Sequence, residues 1–158
     1  MPLVASKGNT NARGFPDLYA IARLETNDIA AKWLAELFAD PSNLFITVTR
    51  TPTEVSLVCP QARLPATPSR VERDFRLLRL GEQIDFAQIG IIASVAVPLA
   101  AAGISIVPIG TFDTDYVLVR ATTLQQTIDA LTAAGHTVSG VSDMPDMPDM
   151  PDMPDMSA

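Results

Sequence analysis

The sequence predicts an α+β fold made of two tandem ferredoxin-like halves, antiparallel sheets that carry their helices on one face. Two observations predict it. Over the second half, β-branched runs and helical stripes follow one another in the order β-α-β-β-α-β, and the first half repeats much of that order. With 158 residues, 47% of them apolar, the chain has material for one compact domain or two small ones. The expected organisation is a flexible N-terminal segment over 1–17, a first unit over 18–74, a second unit over 75–141 and a disordered tail over 142–158.

In the first half, residues 18–24 alternate well enough for a strand. A helix follows with its cap at Asn27 or Asp28; it sets Ile29, Trp33, Leu34 and Leu37 on one face, and Asp40-Pro41-Ser42 stops it. Residues 44–49 and 54–59 read as two strands joined by a hairpin-like turn containing Thr51-Pro52-Thr53. Three prolines in 60–74 make that stretch a connector, with one helical turn after Ser69.

The second half opens with a strand over 75–80, Phe75, Leu77 and Arg79 on one face. A helix over 86–102 ends at Gly103, a favourable left-handed stop. Ile89, Ile92, Ala96 and Leu99 give it a stripe, yet nearly all its other positions are apolar too, as in a helix buried on more than one side. Pro98 removes one of its backbone bonds and should bend it. Residues 104–109 and 116–121 supply two strands. A last helix, capped at Thr122 or Thr123, turns Leu124, Ile128 and Leu131 inward and stops at Gly135; 136–138 is a short final strand.

The net charge of −7 belongs largely to the end of the chain. Asp143, Asp146, Asp149, Asp152 and Asp155 sit in an Asp-Met-Pro repeat, and without them eleven basic residues face thirteen acidic ones. The body is close to neutral and has no electrostatic footprint for nucleic acid. Proline at every third position of the repeat forbids helix and paired strand and favours an extended, solvated chain. No apolar run reaches the roughly 18 residues of a membrane span, and the first fourteen residues lack the apolar core of a secretory signal. A cytoplasmic protein without membrane or nucleic-acid partners is expected.

The single Cys59 excludes an internal disulfide, and the single His136 argues against a histidine metal site or a Cys-His dyad. Cys59 reads as buried packing, and His136 as an exposed residue meeting the last carbonyls of the preceding helix. Nucleophile elbow, Walker loop and dinucleotide fingerprint are missing from the sequence. Neither catalysis, nor a cofactor, nor a metal is expected.

The run from Ile92 through Pro98 and Gly103 to Ile106, followed by Thr111-Phe112-Asp113-Thr114-Asp115-Tyr116-Val117-Leu118-Val119, resembles the ACT-domain proteins of the CASTOR type. Tyr19-Ala20-Ile21-Ala22-Arg23-Leu24, Phe45 to Thr51 and Glu54 to Pro60 are similar to the corresponding first half. The resemblance covers 18–138 and departs from the family in the N-terminus and the Asp-Met-Pro tail. It implies two ACT units, a regulatory and non-catalytic role, and an amino acid bound at an interface between paired units. It also implies a homodimer, a possible protein partner, and ligand contact for the residues matching Thr111, Phe112 and Asp115.

Read from the residues, an amino-acid site needs a carboxylate for the ammonium and N–H groups, best at a helix N-terminus, for the carboxylate. A helix starting near Phe86 would offer free N–H groups around Ala87 to Gly90, with Gly90 permitting close approach. Asp115 or Asp113 would accept the ammonium, although aspartates between strands are also common turn formers. Gln88 reaches a ligand side chain or is an exposed first-turn residue, Ile89 completes the candidate set, and Phe112 is either a ligand wall or core. Asp85 reads mainly as a helix cap. Only Glu82 and Asp85 are acidic near the helix start, which argues against a guanidinium side chain on the ligand. Two other readings of the same pocket are a small enzyme, with Asp113 and Asp115 as its carboxylate pair, and a ligand-free interaction scaffold.

Overall fold

Eight strands and three helices succeed one another in the computed structural model, which describes residues 10–24, 28–42, 44–64 and 68–141. In chain order they are β1 (Asn11–Gly14), β2 (Tyr19–Leu24), α1 (Asp28–Ala39), β3 (Thr47–Arg50), β4 (Val55–Pro60), β5 (Arg70–Leu80), α2 (Ile91–Ala101), β6 (Ile106–Gly110), β7 (Asp115–Arg120), α3 (Leu124–Ala133) and β8 (Thr137–Ser139). The disorder expected of the Asp-Met-Pro tail and the looseness expected of the first nine residues lie outside the described residues.

All eight strands form one sheet, and β5 is its backbone. The first part of β5 pairs antiparallel with β2 (Tyr19↔Phe75, Arg23↔Arg70), completing the first unit in the order β3-β4-β2-β5. Its second part pairs with β7 (Phe75↔Arg120 to Leu80↔Asp115), and β6 lies outside β7. One strand thus serves both units and runs through the 74/75 position. It begins five residues earlier than the sequence suggests, because Arg70, Glu72, Arg73 and Asp74 hide its alternation behind charge. At the joint Asp74 takes a left-handed φ of 61°, and the register with β2 shifts. Aspartate tolerates that conformation better than most residues, and Gln61 braces it: Oε1 accepts the Asp74 N–H (2.9 Å) and Nε2 donates to Oδ1 (3.2 Å).

The N-terminal segment is not loose throughout. Asn11–Gly14 forms β1, wedged between β5 (Ala12↔Leu80, antiparallel) and β8 (Asn11↔Thr137, parallel), with Ala12 in the core. Backbone bonds on both edges hold it, so its sequence, Asn-Ala-Arg-Gly, needs no apolar alternation. The crossover to β2 is pinned by Phe15 N–H to the Leu77 carbonyl (3.1 Å) and by Arg76 Nη1 to the Pro16 carbonyl (2.7 Å).

Each unit has its own core on the helix side of the sheet. In the second, Leu78 and Leu80 of β5 and Val117 and Val119 of β7 meet Val95 and Leu99 of α2 and Leu131 of α3. In the first, Ala22, Leu24, Val55, Leu57 and Cys59 pack with Leu37 and Trp33 of α1. Burying each such side chain contributes about 1.5–3 kcal/mol. The opposite face carries Tyr19, Val58, Phe75, Leu77 and Leu118. Phe45 covers part of it, ring against Tyr116 (4.5 Å) and edge toward Tyr19 (6.1 Å). β3 starts at Thr47 rather than at residue 44.

The connector after β4 holds one 3-10 turn at Gln61–Arg63 where the second unit has a helix, and β5 occupies the place of the helical turn expected after Ser69. Gly103 (φ 73°) and Gly135 (φ 91°) close α2 and α3. Inside α2, Pro98 has no N–H to give the Ser94 carbonyl. His136 supplies one: its Nε2 lies 3.0 Å from that oxygen while Nδ1 accepts the Thr10 N–H at 3.3 Å. Since an N–H can only donate, Nδ1 is the acceptor and Nε2 carries the hydrogen. His136 is therefore buried, 7% exposed, and not the exposed cap of α3 that its place after Gly135 suggests.

Candidate functional site

Two loops of the second unit enclose a cleft of about 160 Å³. The loop between β5 and α2 contributes Ile84, Asp85, Phe86 and Gln88; the β6–β7 turn contributes Thr111, Phe112, Thr114 and Asp115. The turn builds itself. Thr111 N–H and Oγ1 both donate to the Thr114 carbonyl (2.9 and 2.6 Å), and Oγ1 accepts the Thr114 N–H (3.2 Å). Thr114 Oγ1 in turn donates to the Leu80 carbonyl, and Ile84 N–H donates to the Asp113 carbonyl (2.7 Å), which ties the two loops together.

Helix α2 starts at Ile91, one turn later than expected. Asp85 is the cause: its Oδ1 accepts the Ala87 N–H (2.9 Å) and its carbonyl accepts the Gln88 N–H (2.8 Å), a tight turn instead of a helix start. Gly90, at φ 88°, then sets the chain into α2, a conformation costly to a residue with a Cβ. Asp85 thus caps a turn and not the helix. The N–H groups of Ala87 and Gln88, expected to be free for a carboxylate, are taken; the first turn of α2 begins beyond Gly90.

Of the six candidate residues, Asp115, Thr111, Phe112 and Gln88 line the cleft, whereas Ile89 and Gly90 are not among its lining residues. The Thr111 hydroxyl is occupied within its own turn. Phe112 is 81% exposed and so is not core; its ring stands edge-to-face with Phe86 at 5.3 Å. Asp115 heads β7 opposite Gly110. A Cβ on Gly110 would lie 3.4 Å from Asp115 Oδ1, at ordinary contact distance. Among the described residues none forms a side-chain hydrogen bond or ion pair with that carboxylate. Asp113 stays at the turn, its carbonyl holding Ile84.

Sequence reasoning missed Phe86, Ile84 and Thr114. Phe86 was hidden by an expected helix. Elsewhere, Cys59 is fully buried, and burial pushes its thiol up to about 11, which removes it from nucleophilic chemistry at neutral pH. Among the described residues no group of three or more His, Cys, Asp or Glu side chains is placed to hold a metal, and no helix is long and apolar enough to cross a membrane.

The fold is that of an ACT domain: residues 70–133 match that family. The chain is 35% identical to protein Atu0741 of Agrobacterium tumefaciens over 82% of its own length and 92% of that chain, with a TM-score of 0.70, and belongs to one family with it. The fold is shared with the ligand-free regulatory subunit of aspartate kinase from Thermus thermophilus (15% identity, 81% of this chain and 99% of that one, TM-score 0.57). It is also shared with VC0802 of Vibrio cholerae, a protein of unknown function described as a possible transport protein (19% identity, 80% and 91%, TM-score 0.58). No curated protein matches the chain.

Proposed function

We propose that this chain is a non-catalytic regulatory module of the CASTOR type, cytoplasmic and homodimeric, that binds an α-amino acid or similar small zwitterion in the cleft. One observation carries the reading: the Asp115 carboxylate lines a cleft beside two exposed phenyl rings, with no described residue engaging it. In this reading Asp115 accepts the ligand ammonium. The Gln88 carboxamide and the first-turn amides of α2 beyond Gly90 are the donors for the ligand carboxylate. Thr111 holds the turn, Phe112 and Phe86 are apolar walls, and Ile89 lies beside the cleft. Phe86, Ile89, Val97 and Phe112 are 66–81% exposed. Apolar surface of that kind suits a second copy laid over the open side. A ligand in such a seam shifts the assembly by its differential affinity for the open and covered states.

Thermal-shift measurement of the full chain against the twenty amino acids tests this. A ligand at a hundred times its Kd adds about 2.7 kcal/mol of stability; Asp115→Ala abolishes that gain, and mass measurement in solution gives a dimer. A flat response across the panel removes the reading and leaves a ligand-free scaffold.

A further inference from the structure

Resting on that reading, we infer that the ligand is a monocarboxylic α-amino acid whose side chain is uncharged and apolar. Charge is the first argument. Between Arg79 and Arg120 the chain contains no Lys, Arg or His, but it contains Glu82, Asp85, Asp113 and Asp115. Arg79, the flanking cation on β5, directs Nη2 to the Glu82 carbonyl. The cleft lining holds Asp85 and Asp115 and no Lys, Arg or His, so a second carboxylate on the ligand would meet only like charge.

The count of free acceptors is the second. Of the two carboxylates that line the cleft, Asp85 gives Oδ1 to the Ala87 N–H, and Asp115 is the one that no described residue engages, matched to one ammonium and not to two cations. The wall is the third. Phe86 and Phe112 stand edge-to-face yet remain 77% and 81% exposed, and Ile84, on the loop of Phe86, also lines the cleft. Paired rings left bare at a cleft gain by covering an apolar or aromatic body.

Titration calorimetry of the full chain with L-leucine, L-phenylalanine, L-lysine, L-arginine, L-aspartate and L-glutamate tests the assignment. Leucine or phenylalanine binds, the basic pair at least tenfold more weakly, and the acidic pair gives no heat. Phe112→Ala weakens the apolar ligand at least tenfold with the circular dichroism spectrum unchanged. Phe38→Ala, which removes a ring 62% exposed on α1, leaves binding as it was. Preference for a basic or acidic amino acid overturns the side-chain class and leaves the amino-acid site standing. Equal loss in Phe112→Ala and Phe38→Ala overturns the role of the paired rings. Silence from all six probes overturns this inference; silence from the whole twenty-member panel overturns the site as well.

Discussion

The β3–β4 turn of the first unit and the β6–β7 turn of the second are built alike. Thr51 N–H donates to the Glu54 carbonyl at 2.9 Å and Thr51 Oγ1 accepts the Glu54 N–H at 3.1 Å, as Thr111 does with Thr114 at 2.9 and 3.2 Å. Around that shared turn the residues diverge. Pro52 stands where the second unit has Phe112. The cross-strand pair is Arg50 with buried Val55 in one unit and Gly110 with Asp115 in the other. The chain also travels from strand to helix in three residues (25–27) in the first unit and in ten (81–90) in the second. Repeating the turn therefore does not repeat the cleft. The threonine is scaffold common to both units, and what sets the cleft apart is Asp115, the phenyl pair and the longer loop.

The difference is one of decoration on a continuous sheet, and it breaks most visibly if the units are separated. Fragments 1–74 and 75–158 lose cooperative unfolding altogether: the first lacks most of β5, and in the second β8 lacks β1 as its neighbour. Thermal melts followed by circular dichroism check this, and a sharp transition in either fragment would refute the shared-strand account. Next in size, Leu57→Ala in the first core and Leu131→Ala in the second each cost about 2–5 kcal/mol. Calorimetry should show one transition moved in both variants, not two transitions of which one moves.

A smaller effect sharpens the second unit alone. His136→Phe removes the donor to the Ser94 carbonyl and the acceptor for Thr10, a loss of about 1–3 kcal/mol. Hydrogen exchange should quicken in β1 and near Pro98 while β3 and β4 keep their protection. The smallest effect belongs to the first unit. Burial raises the Cys59 thiol from its ordinary 9.0 to about 11, and burial raises Tyr19 as well. The unfolded chain then releases these protons before the folded one does, so the stabilisation is complete below about pH 9 and is lost as pH climbs through 11. Denaturant midpoints across that window should fall, and fall less in Cys59→Ala.

Much of the second unit could be read from sequence because its strands are apolar, its helices periodic and its stops glycine. Gly103, Gly135 and the inward Leu131 all lie where the pattern puts them. What escaped the pattern was fixed by contacts distant in sequence. Asn11–Gly14 is a strand because β5 and β8 flank it, and His136 is buried because Pro98, far along the chain, leaves a carbonyl to fill. The site was half legible. Asp115 and Thr111 stand out between two strands, but Asp85 turns the chain by a local bond that imitates a helix cap, and that displaced the expected amides by a full turn. Phe86 and Ile84 join the cleft only because the loop folds back onto Asp113.

The path of the chain through β1 and β5 has an engineering consequence. The polypeptide contributes one strand to the cleft-bearing half, detours to form the other half, and then returns, so that half is an insert within its neighbour. Gly14 lies opposite Leu78. Excising residues 16–74 and bridging Phe15 to Phe75 with a tight reverse turn would make β1 and β5 the arms of a hairpin. The product would be a miniature domain with both of its helices and both loops of the cleft intact.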